Sequence, residues 1–175
     1  MKNVEIKARI TSEHCEKIKA FLDAQPDLEY KGLDHSEDVY FNVPEGRLKL
    51  RRGNIENCLV AYQRINTSIA KESSYDLAWL KGDGDTLLNV LESSLGVKVI
   101  VRKKRHIYMR GTDKFLLDKV EGLEGHFVEI EIRDEQGNRN GETMRQDCEQ
   151  WQELLEITPD MLQTHSYSDL LERVI

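Results

Sequence analysis

Four stretches of the chain carry charged side chains at every second position. Glu5 and Lys7 stand in KNVEIKARI (2–10), and Arg47, Lys49 and Arg51 in GRLKLRR (46–52). Lys103 and Arg105 stand in VRKKRHIYMR (101–110), and Glu129 and Glu131 in FVEIEI (127–132). In three of these stretches the intervening positions are apolar: Val4, Ile6 and Ala8; Leu48 and Leu50; Val128, Ile130 and Ile132. A period of two sends alternate side chains to opposite faces of a strand. A sheet with one wet face accounts for any one such strand taken alone. It accounts less well for the set, because the cations and the carboxylates come in clusters undiluted by Thr, Ser or Gln. If the sheet closes on itself, these side chains point into a shared lumen. Buried charges of both signs persist there only when paired or bound to ions and ligands. Such a lumen suits a polyanion carried with a divalent metal, the carboxylates holding the hard cation and the Arg and Lys side chains holding phosphate.

The elements that must position these residues follow from the same periodicities. Residues 2–10 alternate strictly and predict a strand. Thr11 or Ser12 caps a helix with Glu13 in its first turn and Ile18, Phe21 and Leu22 as its apolar stripe, stopping before Pro26. Strands are expected at about 28–32, 36–43, 47–52, 59–64 and 75–80, with a turn at Pro44-Glu45-Gly46. Asp83 or Asp85 opens a helix with Leu87, Leu88, Leu91 and Leu95 on one side, ended by Gly96. A long strand over 97–109, a turn at Gly111, and strands at about 114–120 and 126–132 follow. Met144, Cys148, Trp151 and Leu155 have helical spacing, as do Tyr167, Leu170 and Leu171. No repeat, low-complexity tract or linker interrupts the pattern, which describes an α+β chain with a mainly antiparallel sheet.

Composition narrows the class. The 175 residues include 25 Lys and Arg against 32 Asp and Glu, a net charge of −7 that argues against a nucleic-acid role. No apolar run approaches the ~18 residues of a membrane span, and Met1-Lys2 leads into a charged strand rather than a signal peptide. Cys15, Cys58 and Cys148 form no C-x-x-C pair and no zinc pattern with the five histidines, and read as free thiols of a reducing, cytoplasmic setting.

The ordered motifs resemble those of the CYTH superfamily, the triphosphate tunnel metalloenzymes. NVEIKARI resembles the family's E-x-E-x-K strand, DVYFNVPEGRLKLR (38–51) its second block, and YQR (62–64) with KESSY (71–75) its third. VRKKRHIY (101–108) carries its K-x-R, LLDKVEG (116–122) its inward aspartate, FVEIEI its closing E-x-E, and SYSDLL (166–171) its terminal helix. The resemblance implies a single domain over residues 1–175, built as a closed eight-stranded antiparallel barrel with helices packed outside. It implies Glu5, Glu129 and Glu131 as ligands of Mg²⁺ or Mn²⁺. Lys7, Lys49, Arg51, Arg64, Lys71, Lys103 and Arg105 would bind the triphosphate, with Arg47 a further candidate. Asp118 would bind metal through water or orient a lumen cation, and joins Glu5, Lys7 and Arg105 as a catalytic candidate. Arg9, Arg102, Lys104 and Arg110 are expected on the outer face or rim, and His35 and His106 as surface or pairing residues. The chain departs from the pattern at Asn3, which replaces the first glutamate of E-x-E-x-K and brings no charge to a second metal.

Triphosphate chemistry depends mainly on positioning and on neutralising the phosphoryl oxygens. GRLKLR and the spacing from DKVEGL to FVEIEI resemble the class IV adenylyl cyclase branch, which converts ATP to cyclic AMP and pyrophosphate. The same machinery serves hydrolysis of inorganic triphosphate, thiamine triphosphate or a nucleoside triphosphate. A third reading is a module that binds polyphosphate or nucleotide without turnover, and on each reading the chain is expected to be a monomer or a homodimer.

Overall fold

A computed structural model describes residues 2–64, 71–82 and 84–173, with only the backbone described at residue 64 and residues 71–73. The described residues form eight strands and four α-helices. The strands are β1 (Lys2–Ile10), β2 (Glu29–Phe41), β3 (Arg47–Arg52), β4 (Cys58–Arg64), β5 (Lys71–Trp79), β6 (Val97–Arg110), β7 (Asp113–Val120) and β8 (His126–Asp134). The helices are α1 (Ser12–Asp23), α2 (Asp85–Leu95), α3 (Gly141–Leu154) and α4 (Tyr167–Glu172). All strand pairs are antiparallel, and the order β1-β5-β4-β3-β2-β6-β7-β8 closes into a barrel. Closure falls on β1, which pairs with β8 from Lys2↔Asp134 to Ile10↔His126 and with β5 from Lys2↔Ser74 to Glu5↔Lys71.

That closure explains two departures from the sequence reading. Strand β5 begins at Lys71 rather than near Tyr75, because its first four residues pair with β1. Their polar run KESS has no alternation to reveal them. The segments expected at 28–32 and 36–43 form one strand, β2, with a register shift between Tyr30 and Gly32, where Gly32 has φ +121°. The polar residues of Gly32-Leu33-Asp34-His35 look like a break, yet Asp34 is fully buried and accepts the Ile55 backbone N–H at 2.8 Å.

The outward faces supply the cores. Val4, Ile6, Ala8 and Ile10 of β1 join Val128, Ile130 and Ile132 of β8 beneath α1 and α3, which contribute Ile18, Leu22, Met144, Cys148 and Trp151. Phe115 of β7 is fully buried there with its ring 4.3 Å from that of Trp151. Helix α1 is capped by the Thr11 side chain, which accepts the His14 backbone N–H. Helix α2 begins at Asp85, Asp83 lying outside the described residues, and packs Leu87, Leu88, Leu91 and Leu95 against Val39, Phe41 and Leu50. Gly96 ends it at a positive φ of +72°, which glycine adopts because it has no Cβ. All three cysteines are free and buried. No helix among the described residues is long and apolar enough to cross a membrane.

Helix α4 treats the barrel differently. Its Tyr167 packs on Tyr40, Val101, Val120 and Phe127. Tyr40, Val101 and Phe127 share the inward parity of Asp38, Lys103 and Glu129, so α4 covers that end of the lumen. Arg47 fastens it: its guanidinium donates to both Asp169 oxygens at 2.9 Å and to the Ser166 and Ser168 hydroxyls.

Candidate active site

Closure turns one face of every strand inward, and the inward side chains surround one cavity. Among the described residues it is lined by seven cations (Lys7, Lys49, Arg51, Lys103, Arg105, Lys114 and Arg133) and five carboxylates (Glu5, Asp38, Glu56, Glu129 and Glu131). The charged residues that the alternation of β1, β3, β6 and β8 puts on the inner face are among them, except Arg47, which the α4 contacts hold, and Arg9, which shares the row of Glu5 and Lys7 but is exposed near the end of β1. The parity of β6 is unambiguous. The side chains of Lys103 and Arg105 are 0% and 3% exposed, whereas that of Arg102 is 55% exposed and pairs with Glu37 on the outside. Lys104, Arg9 and Arg110 are exposed as well. The side chains of Arg64 and Lys71 lie outside the described residues.

Two networks hold these charges. In one, the Asp38 carboxylate accepts from Arg51 Nε at 2.7 Å and Nη2 at 2.9 Å, from Lys103 Nζ at 2.7 Å and from Lys49 Nζ at 3.3 Å. Burial alone would raise the Asp38 carboxyl, but Arg51, Lys103 and Lys49 outweigh it and hold it well below the carboxylate range. Arg51 also donates to Glu56 at 2.5 Å, and Lys114 reaches the other Glu56 oxygen. In the second network Glu129 is engaged at both oxygens, by Lys7 at 2.9 Å and by Arg105 Nη2 at 2.8 Å. Arg105 is itself held by Asp118 through Nε at 2.7 Å and Nη2 at 2.5 Å. Asp118 does not line the cavity. It stands one layer behind Arg105 and accepts the Tyr167 hydroxyl at 2.7 Å, while Lys7 Nζ lies 3.7 Å from the centre of the Tyr167 ring.

The remaining carboxylates are arranged otherwise. Glu5 and Glu131 face each other across the β1–β8 register. Burial raises the Glu131 carboxyl, Lys114 opposes this, and Glu5 and Glu129 push it further up. Asn3, in the place of the family's first glutamate, donates Nδ2–H to Glu5 Oε2 at 3.1 Å, so it orients a carboxylate instead of adding one. Two opposed, half-buried carboxylates with only oxygen donors fit a hard divalent cation. Among the described residues no three His, Cys, Asp or Glu side chains form a group that could hold a metal, since Glu129 is committed to Lys7 and Arg105.

Several lumen residues escaped the sequence reading. Arg133 continues the alternation of Glu129 and Glu131 one step past the expected strand end, and Lys114 shares the parity of Asp118; both were recoverable from period two. Asp38 stands on a row with Asp34, Ser36 and Tyr40 and next to Glu37 on the other face, so no alternation of charged with apolar residues marks it, and Glu56 lies between β3 and β4 with no periodicity of its own.

The CYTH domain family matches residues 1–166. The chain belongs to the CYTH family. No curated protein sequence matches the chain. Solved structures share its fold. A conserved hypothetical protein from Pyrococcus furiosus has a TM-score of 0.77 at 20% identity, covering 96% of this chain and 99% of that one. A Vibrio parahaemolyticus protein described as a candidate adenylate cyclase has a TM-score of 0.73 at 17% identity, with 97% of both chains covered. A Hippeastrum protein described as a candidate adenylyl cyclase with a dominant triphosphatase activity has a TM-score of 0.62 at 12% identity, covering 99% of this chain and 95% of that one. CYTH membership supports an enzyme that acts on triphosphates with a divalent metal.

Two outcomes follow from this geometry. Lys49 makes the longest contact to Asp38 and is the lumen cation most easily removed without stranding a buried carboxylate. Lys49→Ala should weaken inorganic triphosphate binding at least about tenfold, as a charge-assisted contact worth roughly 1.5–3 kcal/mol requires. Lys104→Ala, on the exposed parity, should stay within about threefold; titration calorimetry compares them. The second outcome concerns Lys103. Burial pushes its ammonium down, Asp38 pulls it back, and Arg51, Arg105 and Lys49 push it down again, to about 7. A bound polyanion favours the charged form, so binding takes up a proton above pH 7. Affinity for triphosphate should therefore be fullest below pH 7 and fall as pH rises above it, by at most about tenfold per unit. Lys103→Arg, which stays charged, should flatten that profile.

Proposed function

We propose that the chain is a metal-dependent enzyme that holds a triphosphate in the barrel lumen and acts as an adenylyl cyclase, the ribose 3′-hydroxyl of ATP attacking the α-phosphorus as pyrophosphate leaves. The observation that carries the triphosphate reading is the gathering of seven cations and five carboxylates in one cavity. Lys7, Lys49, Arg51, Lys103 and Arg105, with Arg64 and Lys71 from the family pattern, would bind the phosphates. Asp118 would act through Arg105, fixing the guanidinium plane by two hydrogen bonds. Glu5 and Glu131 would hold Mg²⁺ or Mn²⁺, joined by Glu129 when phosphates take over Lys7 and Arg105. The ion supplies Lewis-acid charge and a template for the phosphate oxygens.

Cyclisation over hydrolysis is supported by the covered end of the lumen. Tyr167, Phe127, Val101 and Tyr40 close it with apolar surface, which keeps bulk water from phosphates seated near Lys7 and Arg105. An internal ribose hydroxyl then competes well as the nucleophile. Hydrolysis is the second reading, favoured by the contact of the lumen with water at β4 and β5, where Trp79 lines the cavity and is 60% exposed. The three buried free thiols support a cytoplasmic setting.

Incubation with ATP, thiamine triphosphate and inorganic triphosphate in Mg²⁺ or Mn²⁺, with products identified, tests the reading. Cyclic AMP with pyrophosphate is the expected result; orthophosphate release would establish hydrolysis, and no metal-dependent product would leave a binding module. Glu131→Gln tests the metal assignment separately. Because the folded-state pKa of Glu131 is raised, its ionised form opposes folding at neutral pH. The variant should have an equal or higher melting temperature without metal, yet lose the stabilisation that Mg²⁺ or Mn²⁺ gives the native chain. A variant that keeps the metal-induced shift would remove Glu131 from the metal site.

A further inference from the structure

The described side chains of β4 and β5 line the lumen without charge, those of Arg64 and Lys71 at the adjoining ends of the two strands lying outside the described residues. Among the described side chains that line it, β4 contributes Cys58, Val60 and Tyr62, and β5 contributes Tyr75, Leu77 and Trp79. Each of the other six strands contributes at least one charged group. Val60 and Leu77 are only half-buried, and Trp79 is 60% exposed although it lines the cavity. This wall therefore leaves apolar surface in water, inside a cavity whose remaining lining is built for anions.

The register fixes its distance from the cations. Lys49 pairs with Val60, and Val60 with Leu77; Arg51 pairs with Cys58, and Cys58 with Trp79. Each rung runs from a cation to an apolar residue across two strand spacings, roughly 10 Å. That is comparable to the separation between the phosphate chain and the ring of a mononucleotide. An inorganic triphosphate has nothing to place on such a wall. A planar ring tethered to a triphosphate does, since it can lie on the faces of Trp79 and its neighbours while the phosphates reach Lys49 and Arg51.

We infer that the inner face of β4 and β5 is the seat of a planar aromatic group carried by the substrate, which makes the substrate an organic rather than an inorganic triphosphate. This rests on the triphosphate reading and specifies it. A nucleobase and a thiamine-like heteroaromatic ring share the required chemistry.

Titration calorimetry with ATP, thiamine triphosphate and inorganic triphosphate, in chelator and again in excess Mg²⁺, separates the cases. The native chain should bind at least one of the organic triphosphates more tightly than the inorganic one, and which of the two identifies the ring. Trp79→Ala should weaken that ligand at least about tenfold and change inorganic triphosphate less than about twofold, with Trp79→Phe restoring most of the loss. Trp79 is exposed, so its truncation leaves the packed core intact, and an unchanged melting temperature checks this. Equal effects of Trp79→Ala on organic and inorganic ligands, or a native chain that binds inorganic triphosphate as tightly as both organic ones, would overturn the inference and leave the triphosphate reading standing. A native chain that binds none of the three in either condition would overturn the triphosphate reading itself.

Discussion

Charge removed from bulk water must find a partner inside the protein, and closing the β1–β5 and β1–β8 seams removes a great deal of it at once. Asp38 and Glu129 answer that demand. Each sits between cations from different strands, Asp38 among Arg51, Lys49 and Lys103, and Glu129 between Lys7 and Arg105. The two carboxylates thus join β1, β2, β3, β6 and β8 across the lumen. They also hold the cations convergent before any ligand arrives, which is the arrangement electrostatic stabilisation needs if it is not to spend energy on reorganisation.

The cost of desolvating these groups is offset elsewhere. The opposite faces of β1, β7 and β8, and the apolar parts of β2 and β3, are covered by α1, α2 and α3, so on these strands one sequence alternation serves stability outside and ion binding inside. Helix α4 belongs to the inner system. Its Tyr167 completes the chain from Lys7 through Asp118 to Arg105, and Arg47 clamps its first turn. Arg47 lies on the same inward row as Lys49 and Arg51, yet its charge goes to Asp169 and it becomes a structural cation.

What was legible in the sequence was whatever repeats with period two. The parity of Lys103 and Arg105 against Arg102 and Lys104 came from spacing alone, and so did the inward rows of β1 and β8. What was illegible depends on contacts between distant segments. Nothing local shows that KESS must become strand, because its pairing with residues 2–5 and that of Ser73 and Ser74 with β4 make it one. Nothing local shows that Asp34 is buried, because its partner is the backbone of Ile55 in another loop. Glu56 is similar: it matters because Arg51 and Lys114 converge on it, and its own neighbours give no sign of that. The ordered family motifs supplied the barrel's closure, which alternation could pose only as a condition.

The two networks also relate metal to substrate. Glu129 cannot serve an ion while Lys7 occupies one oxygen and Arg105 the other. Phosphate oxygens compete for the same donors, and Arg105 can turn toward them without losing its place because Asp118 still holds its Nε. On the triphosphate reading, each phosphate contact made by Lys7 or Arg105 frees carboxylate charge beside Glu5 and Glu131, where burial and like charge already favour a cation. Metal and polyanion should then reinforce each other's binding, since free energies coupled in one direction are coupled equally in the other. The lumen's preference for a metal-bound triphosphate over either component follows from charges that must be paired with something at all times.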